Sequence, residues 1–126
     1  MKMEYLADGH SNCPLIRLYD FDLADAKRLR EAFRCLAAGS RESLPLHQEW
    51  WIEPLEDCAL DLRRGTRDLG VVERAPSRFE CVATDKGWTR MSSLTDPFCQ
   101  PVMKESCTWL NRAGEVSLLL TPSGGW

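Results

Sequence analysis

Hydrophobic residues recur at steps of three and four between positions 22 and 39, and this spacing predicts the first helix. Asp22 is the predicted N-cap, and Asp25 places a second negative charge near the positive end of the helix dipole. Gly39 is predicted to end the helix in the left-handed conformation. The positions predicted to face the core are Ala26, Leu29, Ala32, Phe33 and Leu36.

A second amphipathic helix is predicted to start at Thr84 or Asp85. Its apolar positions are Trp88, Met91, Leu94 and Phe98. Pro97 is expected to stop the helix, because proline has no backbone N–H and its ring clashes with the preceding turn.

Segments of alternating polarity predict strands around these helices, in the order β-α-β-β-β-β-α-β-β. The segments are 15–21, 44–53, two within 58–73, one around 79–83, then 107–110 and 115–121. Most connections are too short for parallel crossovers. We therefore predict an α+β fold with a largely antiparallel sheet of about six to seven strands and both helices on one face. The run Leu118 to Leu120 predicts that the last strand is covered on both sides.

The segment 58–73 is predicted to be a hairpin, because Arg64-Gly65-Thr66-Arg67 matches a type II′ turn with glycine at its first central position. The predicted register pairs Leu62 with Leu69, Leu60 with Val71, and Arg63 with Asp68. Arg63, Arg64 and Arg67 would then crowd the tip of the hairpin. They are candidate anion-binding residues, although a solvated charged tip is the favoured interpretation.

The length of 126 residues predicts a single domain over 1–126. Residues 1–12 lack periodicity and are predicted to form an extended or mobile arm, and residues 122–126 a C-terminal tail. No apolar run approaches the roughly twenty residues of a membrane helix, so no membrane partner is expected. With 16 Lys and Arg against 19 Asp and Glu, the net charge of −3 argues against a nucleic-acid binder.

The six cysteines contain no pair with the spacing of common zinc or redox motifs. Residues 1–14 show no signal peptide, and we therefore expect reduced thiols and a cytoplasmic protein. Cys35 and Cys81 are interpreted as packed thiols rather than nucleophiles. A metal site formed by His10, Cys13, Cys99 and Cys107 is a disfavoured alternative, because the last two lie eight residues apart.

His47, Glu49 and Trp51 form the most suggestive group of candidate site residues. Residues at i, i+2 and i+4 of a strand project from one face, so an imidazole, a carboxylate and an aromatic ring would lie together there. A carboxylate beside an imidazole suits acid-base work or the binding of a polar ligand. An ordinary solvated strand face is the favoured interpretation.

Two functions from different classes follow from these patterns. The first is a protein-interaction module without catalytic activity, which binds a protein partner or a second copy through an edge strand and an exposed Trp51. Net acidity alone would suit a basic partner. The second is an enzyme or small-ligand binder with a pocket around His47 and Glu49. The chain has no phosphate loop, dinucleotide, zinc-protease or hydrolase motif, so no cofactor is expected.

Overall fold

The computed structural model describes residues 1–102 and 106–126 and has an α+β fold with two helices and two mixed sheets. The five-stranded sheet has the order β4-β1-β2-β9-β8, and the four-stranded sheet has the order β3-β5-β7-β6. The helices are α1 (Leu23–Ala38) and α2 (Asp85–Thr95). The strands are β1 (Lys2–Leu6), β2 (Leu15–Tyr19), β3 (Ser43–Pro45), β4 (Glu53–Pro54), β5 (Ala59–Arg64), β6 (Gly70–Ala75), β7 (Arg78–Ala83), β8 (Thr108–Asn111) and β9 (Ser117–Thr121).

The predicted α+β class with two helices is confirmed, but the expected single, largely antiparallel sheet of six to seven strands is not matched, because there are two sheets and both mix antiparallel with parallel pairs. Each sheet contains parallel pairs, namely β1 with β4 and β2 with β9 in the larger sheet, and β5 with β7 in the smaller one. The buried side chains of both sheets and both helices nevertheless belong to one core. Parallel pairs require long connections, and here whole helices or strands serve as those connections.

Helix α1 forms as its sequence predicts. The Asp22 carboxylate accepts a hydrogen bond from the Asp25 N–H at 2.9 Å, and Asp25 reaches back to Asp22 to complete a capping box. Gly39 adopts the predicted left-handed conformation with φ of 79°. All five predicted core positions are buried, namely Ala26, Leu29, Ala32, Phe33 and Leu36.

Helix α2 also begins where the sequence predicts, with Thr84 as its N-cap. Trp88 and Met91 are buried, and the Trp88 ring stacks on Phe33 of α1 with ring centroids 5.8 Å apart. The helix ends at Thr95, and Pro97 lies in the 3₁₀ turn Asp96–Cys99 that follows. The aromatic stack fixes the two helices against each other.

The predicted N-terminal arm is instead an interior strand. β1 lies between β2 and β4, and Met3 is completely buried. The Met1 nitrogen donates to the Trp51 carbonyl at 2.9 Å and to the Asp25 carboxylate at 3.2 Å. The C-terminal tail is also anchored, since Arg17 donates to the Gly124 carbonyl at 2.8 Å. The arm interpretation failed because the alternation of Met1, Met3 and Tyr5 is the mark of a strand with one buried face.

The predicted hairpin within 58–73 does not form. β5 pairs in parallel with β7, and β6 pairs with the other edge of β7, so Leu62 lies opposite Cys81 rather than Leu69. Gly65 explains the difference, because its N–H bonds to the Ala83 carbonyl at 3.0 Å and a β-carbon there would collide with Val82. The glycine thus permits close approach to β7 rather than a tight turn.

The last strand joins the two sheets. Leu118, Leu119 and Leu120 of β9 are all fully buried, which confirms the predicted cover on both faces. Just before β9, Val116 forms an isolated bridge with Val71 of β6. Gly114 lies so close to Gly70 that neither could carry a side chain without displacing backbone.

We expect Met3→Ala to lower the free energy of unfolding by about 2–5 kcal/mol, because it leaves a cavity in the core beneath a central strand. Urea denaturation measures this change. Asp8→Ala in the exposed loop after β1 is the control and should change stability by about 0.5 kcal/mol or less. Equal unfolding midpoints for the two variants would contradict the placement of β1.

Candidate interaction surface around Trp50

The segment expected to form a strand over 44–53 is broken into shorter pieces. β3 ends at Pro45, and Leu46–Gln48 forms a 3₁₀ turn. The His47 imidazole then replaces the next backbone hydrogen bond to β5, because its Nδ1 accepts a hydrogen bond from the Leu60 N–H at 3.1 Å. His47, Glu49 and Trp51 therefore do not share a strand face, and the predicted grouping was wrong.

The burial of the two adjacent tryptophans is the reverse of the expectation that Trp51 is exposed. Trp51 is only 9% exposed and belongs to the core, whereas Trp50 is 79% exposed. Trp51 also accepts the hydrogen bond from Met1 through its carbonyl, which holds this stretch against β1. The exposed aromatic ring that the sequence predicted at Trp51 is thus supplied by Trp50.

The exposed Trp50 ring is held in place by a charged side chain of α1. The Arg28 guanidinium lies 4.5 Å from the centre of the ring, a cation–π arrangement. Arg28 also donates to the Asp25 carboxylate at 3.2 Å, and Asp25 contacts the Met1 nitrogen. This series of contacts connects the ring to the start of α1 and to β1.

A groove of about 340 Å³ runs beside Trp50, between α1 and the segment after β3. Its apolar lining is supplied by Ala32, Leu44 and Trp51. We define the Trp50 surface as Trp50 with the charged groups around this groove, namely Arg28, Glu31, Arg41 and Glu49. The two arginines and two glutamates of this surface balance each other in formal charge. Of these groups, Arg41 and Glu49 approach each other to 3.9 Å.

His47 lines a different cavity from Glu49. This second cavity measures about 520 Å³, and its polar lining includes Gln48, Asp57, Ser77 and Arg78. Within residues 1–102 and 106–126, no hydrogen bond joins His47 to Glu49. The structure therefore separates the acid-base pair that the sequence predicted and leaves His47 with other polar neighbours.

The three arginines of the predicted hairpin tip point to three different surroundings. Arg64 donates to the Leu36 carbonyl at 2.6 Å and pairs with Asp85 at 2.8 Å, so it secures the C-terminal end of α1 to α2. Arg63 pairs with Glu80 rather than with Asp68 as predicted. Arg67 is exposed, and within the described ranges it makes no ion pair. They do not form a common anion site.

Glu80 forms ion pairs with two arginines on the outer face of the smaller sheet. It pairs with Arg63 at 3.0 Å and with Arg74 at 2.9 Å. Burial on its own would raise the pKa of Glu80, but the hydrogen bonds from the two guanidinium groups outweigh it and lower the pKa. Arg63 is thus committed to a structural network on this sheet.

All six cysteines are free, and the described residues bring no three His, Cys, Asp or Glu side chains together at a spacing that could hold a metal ion. The four candidate ligands His10, Cys13, Cys99 and Cys107 are therefore not gathered. Burial raises the pKa of the Cys81 thiol to about 12 and that of Cys58 to about 11. Neither thiol forms an appreciable amount of thiolate near neutral pH.

Comparisons of the chain with protein-family models, curated protein sequences and solved structures found no match. Among the helices that the structure describes, none has the length and apolar character needed to cross a bilayer.

We expect Arg64→Met to lower the free energy of unfolding by about 1–3 kcal/mol, because it removes a charged donor from the partly buried end of α1. Thermal and urea denaturation measure the loss. The matched control Arg67→Met removes the same charge from an exposed position and should cost about 0.5 kcal/mol or less. Equal losses in the two variants would mean that the Arg64 contacts add nothing to stability.

Proposed function

We propose that this chain is a protein-interaction module without catalytic activity and that it binds its partner through the Trp50 surface. The observation that carries the proposal is the exposed Trp50 ring, 79% accessible and held by Arg28. A large apolar ring at the surface that already packs against a guanidinium group loses less conformational entropy on binding than a ring without such a contact.

The composition of the Trp50 surface also supports the proposal. Tryptophan and arginine are the residues most enriched among those that dominate binding energies, and Trp50 and Arg28 lie in direct contact. Charged side chains surround the apolar groove, as in the polar rim of known interfaces. The edge strand β3 precedes this surface directly and leaves one side of its backbone open to another strand.

The occupant is a different protein or a second copy of the chain. A different protein would bring an apolar pocket that receives the Trp50 ring. A second copy would place its own Trp50 in the groove of about 340 Å³, in a symmetric contact. Analytical ultracentrifugation separates the two cases, because only self-association depends on the concentration of this chain alone.

A small-ligand binder or enzyme is the second candidate function, now supported by the His47 cavity alone. Its 520 Å³ lie within the range of ligand pockets, and Asp57 and Arg78 add two charged groups to its lining. Native mass spectrometry of protein isolated under reducing conditions tests it. This candidate predicts a retained small molecule that is lost in Asp57→Asn and Arg78→Gln, and retention in both variants would contradict it.

We expect Trp50→Ala and Trp50→Glu to weaken partner binding by about 30-fold or more, because they remove the central anchor of the interface. Self-association is measured by ultracentrifugation. Binding of another protein is measured by cross-linking through a photoreactive residue introduced at Glu49, followed by affinity measurement with the identified partner.

Leu69→Ala is the matched control, since Leu69 is an exposed apolar residue that does not belong to the Trp50 surface. It should leave affinity unchanged, and all three variants should keep the unfolding midpoint within a few degrees. Unchanged binding by folded Trp50→Ala would refute the proposed interface.

A further inference from the structure

A further candidate site, separate from the Trp50 surface and from the His47 cavity, lies between the first turns of α2 and the end of β8. It is a cavity of about 260 Å³ with three basic residues in its lining, Lys86, Arg90 and Arg112. We call it the α2–β8 pocket. It shares no lining residue with the groove beside Trp50.

The α2–β8 pocket concentrates positive charge in a chain whose net charge is −3. Lys86 and Arg90 are four residues apart on α2, a spacing at which like charges repel each other on a helix. Within residues 1–102 and 106–126, none of the three basic residues forms an ion pair. The lining therefore brings together three exposed basic side chains that have no ion-pair partner among the described residues.

One carboxylate, that of Asp68, also lines the pocket. It accepts hydrogen bonds from the Thr84 N–H at 2.9 Å and from the Thr84 hydroxyl at 3.0 Å, so its lone pairs are used in fixing the start of α2. With this one negative charge against three positive ones, the lining keeps a surplus of two positive charges. The positive end of the α2 dipole adds to the same potential.

The buried Asn111 supplies a hydrogen-bond donor to the lining. Its side-chain oxygen accepts from the Ala113 N–H at 2.9 Å, whereas its amide nitrogen has only the Met91 sulfur at 3.7 Å. Asn111 is 8% exposed, and a thioether is a weak acceptor for an amide that carries two hydrogens. Its donor capacity is thus left largely unused next to the basic side chains.

The size of the pocket limits the ligand. Ligand pockets for drug-sized molecules start at about 300 Å³, and one liquid water takes about 30 Å³, so the cavity holds roughly the volume of eight or nine waters. That is enough for one tetrahedral oxyanion with a short substituent. The Arg112 guanidinium is already positioned by stacking on Trp109 at 4.6 Å.

We propose that the α2–β8 pocket binds a phosphate group, either free phosphate or the phosphate of a small monoester. A phosphate group carries about 1.5 to 2 negative charges near pH 7, which suits the surplus of two positive charges in the lining. Arginine and lysine bind it through charge-assisted hydrogen bonds, and the Asn111 amide adds a neutral donor.

Titration of the isotope-labelled chain, followed by NMR, tests this proposal. Sodium phosphate, glycerol phosphate and sodium acetate are added in turn at constant ionic strength, so that screening is equal in all three series. We expect saturable shifts at residues 86–90 and 110–113 with phosphate or with glycerol phosphate, and much weaker binding of acetate. The tighter of the two phosphate compounds identifies the source of the group.

Arg90→Gln and Arg112→Gln should each weaken phosphate binding by about tenfold or more. Arg67→Gln is the matched control, because it removes one positive charge from an exposed position outside the pocket, and it should leave the affinity within about twofold. The spectra themselves report whether each variant is folded. Shifts that do not saturate, equal binding of acetate, or an equal loss in Arg67→Gln would overturn the proposal.

Discussion

Contact between two backbones at Gly70 and Gly114 holds the two sheets together as one fold. A β-carbon on Gly70 would meet the Gly114 nitrogen, and one on Gly114 would meet the Val71 backbone. Gly70 also has a φ of +71°, a region that favours glycine. Because the two backbone segments approach so closely, the Val116 N–H reaches the Val71 carbonyl at 3.2 Å, and β9, which follows directly, lies between β2 and β8 in the larger sheet.

The helix pair carries both candidate sites. Phe33 and Trp88 stack between α1 and α2, so the two helices behave as one support. α1 presents Arg28 to the Trp50 ring, while α2 brings Lys86 and Arg90 to the pocket beside β8. Sites that are built on packed helices keep their geometry better than sites on loops. Each of the two proposed binding sites thus takes part of its side chains from one helix of the pair, while Trp50 and Arg112 come from segments outside the helices.

An element could be predicted from the sequence wherever the contacts that determine it are local. The α1 capping box lies within the four residues 22–25, Gly39 directly follows the last residue of the helix, and the apolar stripe of α1 matches its buried face. The strands were harder, because Gly65 resembles a turn residue until β7 is known to lie against it. The segment after β3 alternates like a strand, yet Pro45 and the His47 side chain end the backbone pairing there. Alternation predicts that Trp50 and Trp51 point to opposite faces, but it does not predict which of the two is buried. The contact between Arg28 and Trp50 joins distant parts of the sequence, so no local pattern predicts it.

The parallel pairing of β2 with β9 also sets the order in which this chain can fold during synthesis. Leu15 pairs with Ser117, so one edge of β2 has no neighbour until residues 117–121 have left the ribosome. The strands β1 and β2 emerge close together, and once they pair, β2 presents an open strand edge, which is a template for wrong pairing between chains. Such distant pairing also slows folding. Nascent chains of this protein are thus most vulnerable to aggregation in the interval before β9 emerges, and it is in that interval that a chaperone would have the greatest effect on yield.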